Sequence, residues 1–253
     1  MDALPAVTVS TFPKHGRIAC RQCFSDNSDT QTLGKWQVVN DPGAWGSCSP
    51  EILILGFSKG FTQANAYRAG RFEDIPFKDM RPRLTQVLRA IDIVAASERI
   101  DERMVISESR FAFGSLVRCS LARMNERSGR LECTGQVMPK AFVEEISGVV
   151  RRCAETFLAH LPASSRLVLM LGTTDAYIKG CKRLIKAIYG KDYAELNEVG
   201  YRTGRVYWAH ISHPSPLNGY HGAWLKGDAS TKSGEKRQRA EEIVRLSRAS
   251  RNS

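Results

Sequence analysis

The sequence lacks any apolar run long enough to span a membrane, and its opening, Met1-Asp-Ala-Leu-Pro-Ala-Val-Thr8, has no charged stretch followed by an apolar core. No membrane association and no secretory leader are expected, and a cytoplasmic location follows. Internal repeats and linkers are also missing, so residues 1–253 read as a single domain, expected to be monomeric. Neither a G-x-G-x-x-G turn nor the Lys-Ser/Thr ending of a phosphate loop follows the first apolar run, which leaves both nucleotide-binding readings unsupported. Seven cysteines are an odd number, and in a reducing compartment they do not form a disulfide framework. They are free, or they bind metal.

Positive charge is what the chain has in excess. Thirty-seven Lys and Arg against twenty-six Asp and Glu give a formal charge of +11, which points to a polyanionic partner, nucleic acid above all. Part of the excess lies between Lys226 and Arg251, where a basic helix is expected at about 233–250; such a run is commonly a solvated face. Arg68, Arg71, Arg81, Arg83, Arg118 and Arg123 fall instead near candidate site loops.

Four short apolar runs alternate with helical patterns. Glu51–Gly56, Phe113–Cys119, Arg166–Gly172 and Val206–Ile211 read as strands covered on both faces. Between and after them, Arg83–Ala96, Pro139–Leu161, Thr174–Tyr189 and Ser233–Ala249 carry helical spacing. This alternation predicts an α/β fold, a three-layer α/β/α sandwich around a central, mainly parallel four-stranded sheet. Two segments fit no element, Asn125–Gln136 and Lys191–Gly204, the second a candidate for a short helix.

The last strand runs directly into His213-Pro-Ser-Pro-Leu217, a loop stiffened by two prolines that cannot extend the sheet. A histidine at the carboxyl end of a parallel strand stands where α/β folds bind ligands. Alone, the loop also reads as a proline-rich turn. The first strand ends in Gly56-Phe-Ser-Lys-Gly60, where two glycines let the backbone turn sharply, and the second ends in Ser115-Leu-Val-Arg-Cys119.

In order, these motifs resemble those of the uracil-DNA glycosylase superfamily: a glycine-x-x-x-glycine loop, a strand end like Asn-x-Val-Lys-Cys, a Leu-Gly turn matched by Leu171-Gly172, and a His-Pro-Ser-Pro-Leu loop. The resemblance spans roughly residues 17–222. It is finest with the iron-sulfur branch, since Cys20-x-x-Cys23, Arg118-Cys119 and Cys153 ahead of Phe157-Leu158 follow that branch's order. The resemblance implies that Cys20, Cys23, Cys119 and Cys153 bind a 4Fe-4S cluster, with zinc as the alternative and Cys133 as competitor for the fourth ligand. Cys48, Cys133 and Cys181 otherwise read as ordinary cysteines.

The implied activity is hydrolysis of the N-glycosidic bond of a deaminated base, uracil or a related one, flipped out of damaged duplex or taken from single-stranded DNA. His213 would stabilise the charge on the departing base, and Leu217 would fill the vacated stack. Phe77 would stack on the base, while Ser215 and the loop of Gly56, Phe57, Lys59 and Gly60 would hold the backbone phosphates and substrate. The chain departs from the family in two places. Phe57 and Ser58 stand where an Asp, Asn or Glu is usual, leaving Ser58, with Lys59, as the candidate for holding water; Glu73, Asp74 and Asp79 are substitute carboxylates. Ser115 stands where an Asn usually reads the uracil edge. His210 reads as structural, and His221 as near the site. Two alternatives stay open: a non-catalytic nucleic-acid binder on the same scaffold, and a hydrolase of nucleosides or other small metabolites.

Overall fold

The computed structural model describes residues 12–24 and 27–250; the Met1–Thr8 stretch and Arg251 lie outside them. Twelve strands occur among these residues: β1 Gly16–Arg17, β2 Thr30–Leu33, β3 Trp36–Val39, β4 Gly43–Gly46, β5 Ile52–Gly56, β6 Phe111–Ser115, β7 Ser120–Asn125, β8 Arg130–Glu132, β9 Leu167–Leu171, β10 Tyr193–Asn197, β11 Gly200–Thr203 and β12 Val206–Ile211. Six α-helices accompany them: α1 Phe61–Ala69, α2 Arg81–Ala90, α3 Ser147–Leu158, α4 Asp175–Tyr189, α5 His221–Lys226 and α6 Lys232–Ala249. None is long and apolar enough to cross a membrane.

The strands form an eight-stranded sheet in the order β1-β4-β6-β5-β9-β12-β11-β10, and a separate antiparallel sheet in the order β2-β3-β7-β8. The expected four-stranded, mainly parallel sheet is thus corrected to a mixed eight-stranded one with a second sheet beside it. The four apolar runs do become neighbours, β6, β5, β9 and β12, paired in parallel. Antiparallel strands extend that block at both edges. They escape a reading based on apolar runs for physical reasons: β1 has two residues, β4 is half glycine, and the β10–β11 hairpin interleaves Glu195, Asn197 and Arg202 with its apolar residues. The supposed short helix in Lys191–Gly204 is that hairpin, preceded by a single turn of 3-10 helix at Gly190–Asp192. Likewise Asn125–Gln136 supplies β8 and the turn before it.

Side chains alternate across the central strands. Ile52, Ile54, Leu167, Leu169, Ala209 and Ile211 pack into one core with α2 and α6, whereas Leu53, Leu55, Val168, Met170 and Trp208 face a second core with α3, α4 and the small sheet. Burial on both faces explains why these strands read as continuous apolar runs. The second strand is shorter than expected: β6 stops at Ser115, and Leu116–Cys119 bends across to start β7 in the small sheet. The basic terminal helix is also not simply a solvated face. Lys236 binds Asp175 at 2.5 Å, Arg237 donates to the Ala90 carbonyl at 2.9 Å, and Arg248 donates to the Asp92 carbonyl, so three of its cations fasten it to the fold.

Candidate functional site

The carboxyl ends of β5, β6, β9 and β12 lie side by side, and the loops that leave them are hydrogen-bonded to one another. Gly56 pairs with Ser115 in register, and the N-H groups of Leu116 and Val117 donate to the carbonyls of Gly56 and Phe57 at 2.9 and 2.8 Å. At the other side, Gly172 N-H donates to Ile211 O at 2.8 Å.

The loop after β12 is the best-organised part. Its proline spacing leaves few N-H groups, and those remaining bind inward: Ser215 N-H donates to His213 Nδ1 at 3.1 Å, and Leu217 N-H to Ser215 Oγ at 3.2 Å. Asn218 Nδ2 donates to the His213 carbonyl at 2.8 Å and to Ser212 Oγ at 3.1 Å. From α2, Arg83 donates to the carbonyls of Pro214 at 2.9 Å and Ser215 at 3.2 Å, clamping the loop from outside. Burial, with the adjacent His221, pushes His213 down to about 4. The imidazole is therefore neutral near pH 7, and because Nδ1 accepts a hydrogen bond, the proton resides on Nε2. Leu217, at 86% exposed, projects from the loop, as does Tyr220 at 70%.

His210, on β12 itself, is fully buried; its Nδ1 lies 3.1 Å from Gly172 O, and burial pushes it down to about 3. It faces Tyr177 in the core, 5.6 Å between ring centroids, which fits a structural histidine.

The first loop is turned differently from expectation. Phe57 is buried against Phe142 and Tyr177, at 5.5 and 6.0 Å between centroids, so only its backbone faces the strand ends. Lys59 was expected to meet phosphate or water; instead its ammonium is 2% exposed, 3.3 Å from Asp41 Oδ1 and bonded to the Arg118 carbonyl. Burial lowers its pKa, while Asp41 opposes that shift. Asp41 is itself fixed by Ser120, whose N-H and hydroxyl donate to it at 2.7 and 2.6 Å. Ser58 is half-buried, its hydroxyl 3.8 Å from Met138 Sδ. Gly60 opens α1 without a side-chain cap, and the first N-H of that helix, at Phe61, bonds to the Cys133 sulfur.

Ser115 is buried at the end of β6, its Oγ 3.9 Å from where a Cβ on Gly56 would stand. Phe77 is buried edge-to-face on Phe113, with φ of 52°. A non-glycine residue in that region is held by its surroundings. Of the substitute carboxylates, Asp74 is paired with Arg71 at 3.0 Å and Glu73 with His15 at 3.6 Å. Asp79 does not cap α2, whose preceding residue is Met80.

Cys20, Cys23, Cys119 and Cys153 line one cavity of about 360 Å³, counting space open to solvent. Among the described residues, no group of three or more His, Cys, Asp or Glu is gathered to hold a metal ion, so the expected ligand set is not formed as such. Burial raises the Cys119 thiol to about 12 and the Cys153 thiol to about 11. The wall is nevertheless suited to anionic sulfur: the Arg118 N-H donates to Cys153 Sγ at 3.2 Å, Arg152 bonds to Cys23, and the buried Arg118 guanidinium has no hydrogen-bond partner on any of its three nitrogens. Cys133 lies elsewhere, 3.6 Å from a Cβ placed on Gly60.

Sequence reasoning missed Asp41, Asn218 and the clamping role of Arg83. Asn218 alone had a local signal, as a turn-forming residue directly after the His-Pro-Ser-Pro-Leu run.

No family model and no curated protein matches the chain. Among solved structures it is similar to wild-type SMUG2 of Pedobacter heparinus, with a TM-score of 0.43 and 13% identity, covering 81% of this chain and 77% of that one.

Proposed function

We propose that the chain is a DNA glycosylase that hydrolyses the N-glycosidic bond of a flipped, deaminated base, uracil or a close relative. The observation that carries this reading is His213: a neutral imidazole whose Nδ1 is occupied by Ser215 N-H and whose Nε2 proton is free to meet developing negative charge. Cleavage of the bond leaves an electron-poor sugar and an electron-rich base, and a fixed N-H donor at the base oxygen favours that separation. Leu217 fits the wedge that replaces the extruded base, because an apolar side chain so exposed gains from entering a base stack. The backbone of Gly56–Gly60 and Ser215 would bind phosphates. Phe77 forms the buried floor and Ser115 the polar reader, with fewer directional bonds than an amide. Ser58 is the group nearest in place to orient water, after rotating away from Met138.

Cys20, Cys23, Cys119 and Cys153 would hold a 4Fe-4S cluster, with N-H donors already directed at three of the sulfurs, from Arg152 to Cys23, Asp41 to Cys119 and Arg118 to Cys153. Zinc, held by the same four sulfurs, is the alternative. The cluster would supply a cross-link between the amino-terminal segment and the bend after β6, while hydrolysis itself transfers no electrons.

Purified, metal-loaded protein incubated with duplex and single-stranded DNA bearing uracil, hypoxanthine or xanthine should leave abasic sites in at least one case. Well-folded protein that cleaves none of them would refute the reading. One observation favours a second reading, a non-catalytic DNA binder: Phe57 and Lys59 face inward, and Gly56–Gly60 itself carries no carboxylate. That protein would bind DNA with strong salt dependence and no turnover.

Arg83→Ala tests the clamp. With the Pro214 and Ser215 carbonyls released, the loop is left to its prolines and Asn218, and a displacement of His213 on the order of 1 Å would lower the rate by about 100-fold. Single-turnover rates should fall while thermal stability changes little. An unchanged rate would show that the prolines and Asn218 hold the loop without Arg83.

A further inference from the structure

Arg118 has no partner that explains its position. Its side chain is 1% exposed, and Nε, Nη1 and Nη2 all lack hydrogen bonds. The guanidinium lies 5.3 Å from the Phe157 ring and 6.0 Å from the Phe12 ring, and Arg118 and Phe157 are among the residues lining the four-cysteine cavity. Gly114 makes room for it, since a Cβ there would stand 1.8 Å from Nη1. Among the described residues it forms no ion pair, although its own N-H bonds Cys153 Sγ and its carbonyl receives Lys59.

An arginine stays protonated at neutral pH. An uncompensated buried charge costs several kcal/mol, so a chain retains one where an anion completes it. DNA phosphate does not reach a group this enclosed. The cavity beside it, however, is lined by four thiols, and four thiolates around a 4Fe-4S core at its 2+ level carry a net charge of −2.

We propose that Arg118 is the counter-cation of the four-thiolate cluster, a positioning residue that donates N-H groups to its sulfurs and holds its reduction potential up. The inference rests on the cluster reading above. Adding an electron makes the cluster more negative, so a cation in contact with it stabilises the reduced level most. Net charge and hydrogen bonds to sulfur are among the quantities that set such potentials.

The test uses full-length protein purified without oxygen, alongside Arg118→Gln, which keeps an amide donor without the charge, and Arg118→Lys, which keeps the charge without the fork. Iron and acid-labile sulfide per chain, visible absorbance, and a dithionite titration followed by electron paramagnetic resonance are the readouts. At the wild-type midpoint, Arg118→Gln should shift the reduction equilibrium by about tenfold toward the oxidised form, equivalent to about 59 mV for one electron. Arg118→Lys should recover part of the shift, and Arg118→Gln should lose iron sooner to a chelator. Variants that load iron fully and titrate at the wild-type potential would overturn the role of Arg118 and leave the cluster reading standing. Wild-type protein without iron and sulfide, or with zinc in their place, would overturn both.

Discussion

On the proposed glycosylase activity, replacing His213 by alanine should lower the single-turnover rate of base excision by roughly 100- to 1000-fold, the loss that follows removal of one preorganised oxyanion donor. The effect is specific to chemistry, because the loop has other fastenings: Arg83 still binds the Pro214 and Ser215 carbonyls, and Asn218 still binds the residue 213 carbonyl. DNA affinity and melting temperature should therefore move little. The pH profile gives an independent check. Burial and His221 hold His213 near 4, so the rate should stay level from neutral pH to about pH 5 and decline only as Nδ1 takes up a proton and releases Ser215. Between the ordinary histidine value of 6.5 and about 4, the unfolded chain binds a proton that the folded chain refuses, so acidification across that window also lowers stability. An activity midpoint near 6.5, or a His213→Ala variant with undiminished rate, would remove His213 from the chemistry.

The largest expected effect on stability lies at Lys59. Lys59→Met leaves the Asp41 carboxylate, 3% exposed, with Ser120 alone, and breaking a buried pair by removing one partner costs about 3–5 kcal/mol. Chemical denaturation measures it directly. Asp41→Asn in the Lys59→Met background should restore a substantial part, because it removes the charge left without its partner. A single variant that loses less than about 1 kcal/mol would mean that water or a rearranged neighbour already compensates Asp41. The same experiment separates two roles of the first loop: a phosphate-binding Lys59 would affect DNA affinity and leave stability alone.

How much was legible in advance follows from where each residue's partners are. The central parallel block could be read because strands packed on both faces need apolar residues at every position, as Ile52–Leu55 and Leu167–Leu171 have. Tyr193–Asn197, at the sheet edge, needs them on one face or not at all, and Gly43–Gly46, though buried between β1 and β6, is half glycine, so neither gave a comparable signal. The His213 loop was legible because its prolines and its histidine are contiguous. Arg83 was not, since the carbonyls it holds are more than a hundred residues away and carry no side-chain identity. Lys59 misled for a similar reason: lysine is ordinarily exposed, and only the tertiary fold brings Asp41 to it.

The bend from Leu116 to Cys119 joins the strand ends to the cysteine cavity. Its first two N-H groups are fastened to the Gly56 and Phe57 carbonyls, and its last residue lines the cysteine cavity. Four residues thus span a fixed distance between the strand end bearing Ser115 and the wall bearing Cys119. One residue inserted or deleted there would throw both out of step, whereas the exposed turn at residues 126–129 between β7 and β8 has room to lengthen or shorten. Variation in chain length is permitted on one side of this hinge and excluded within it.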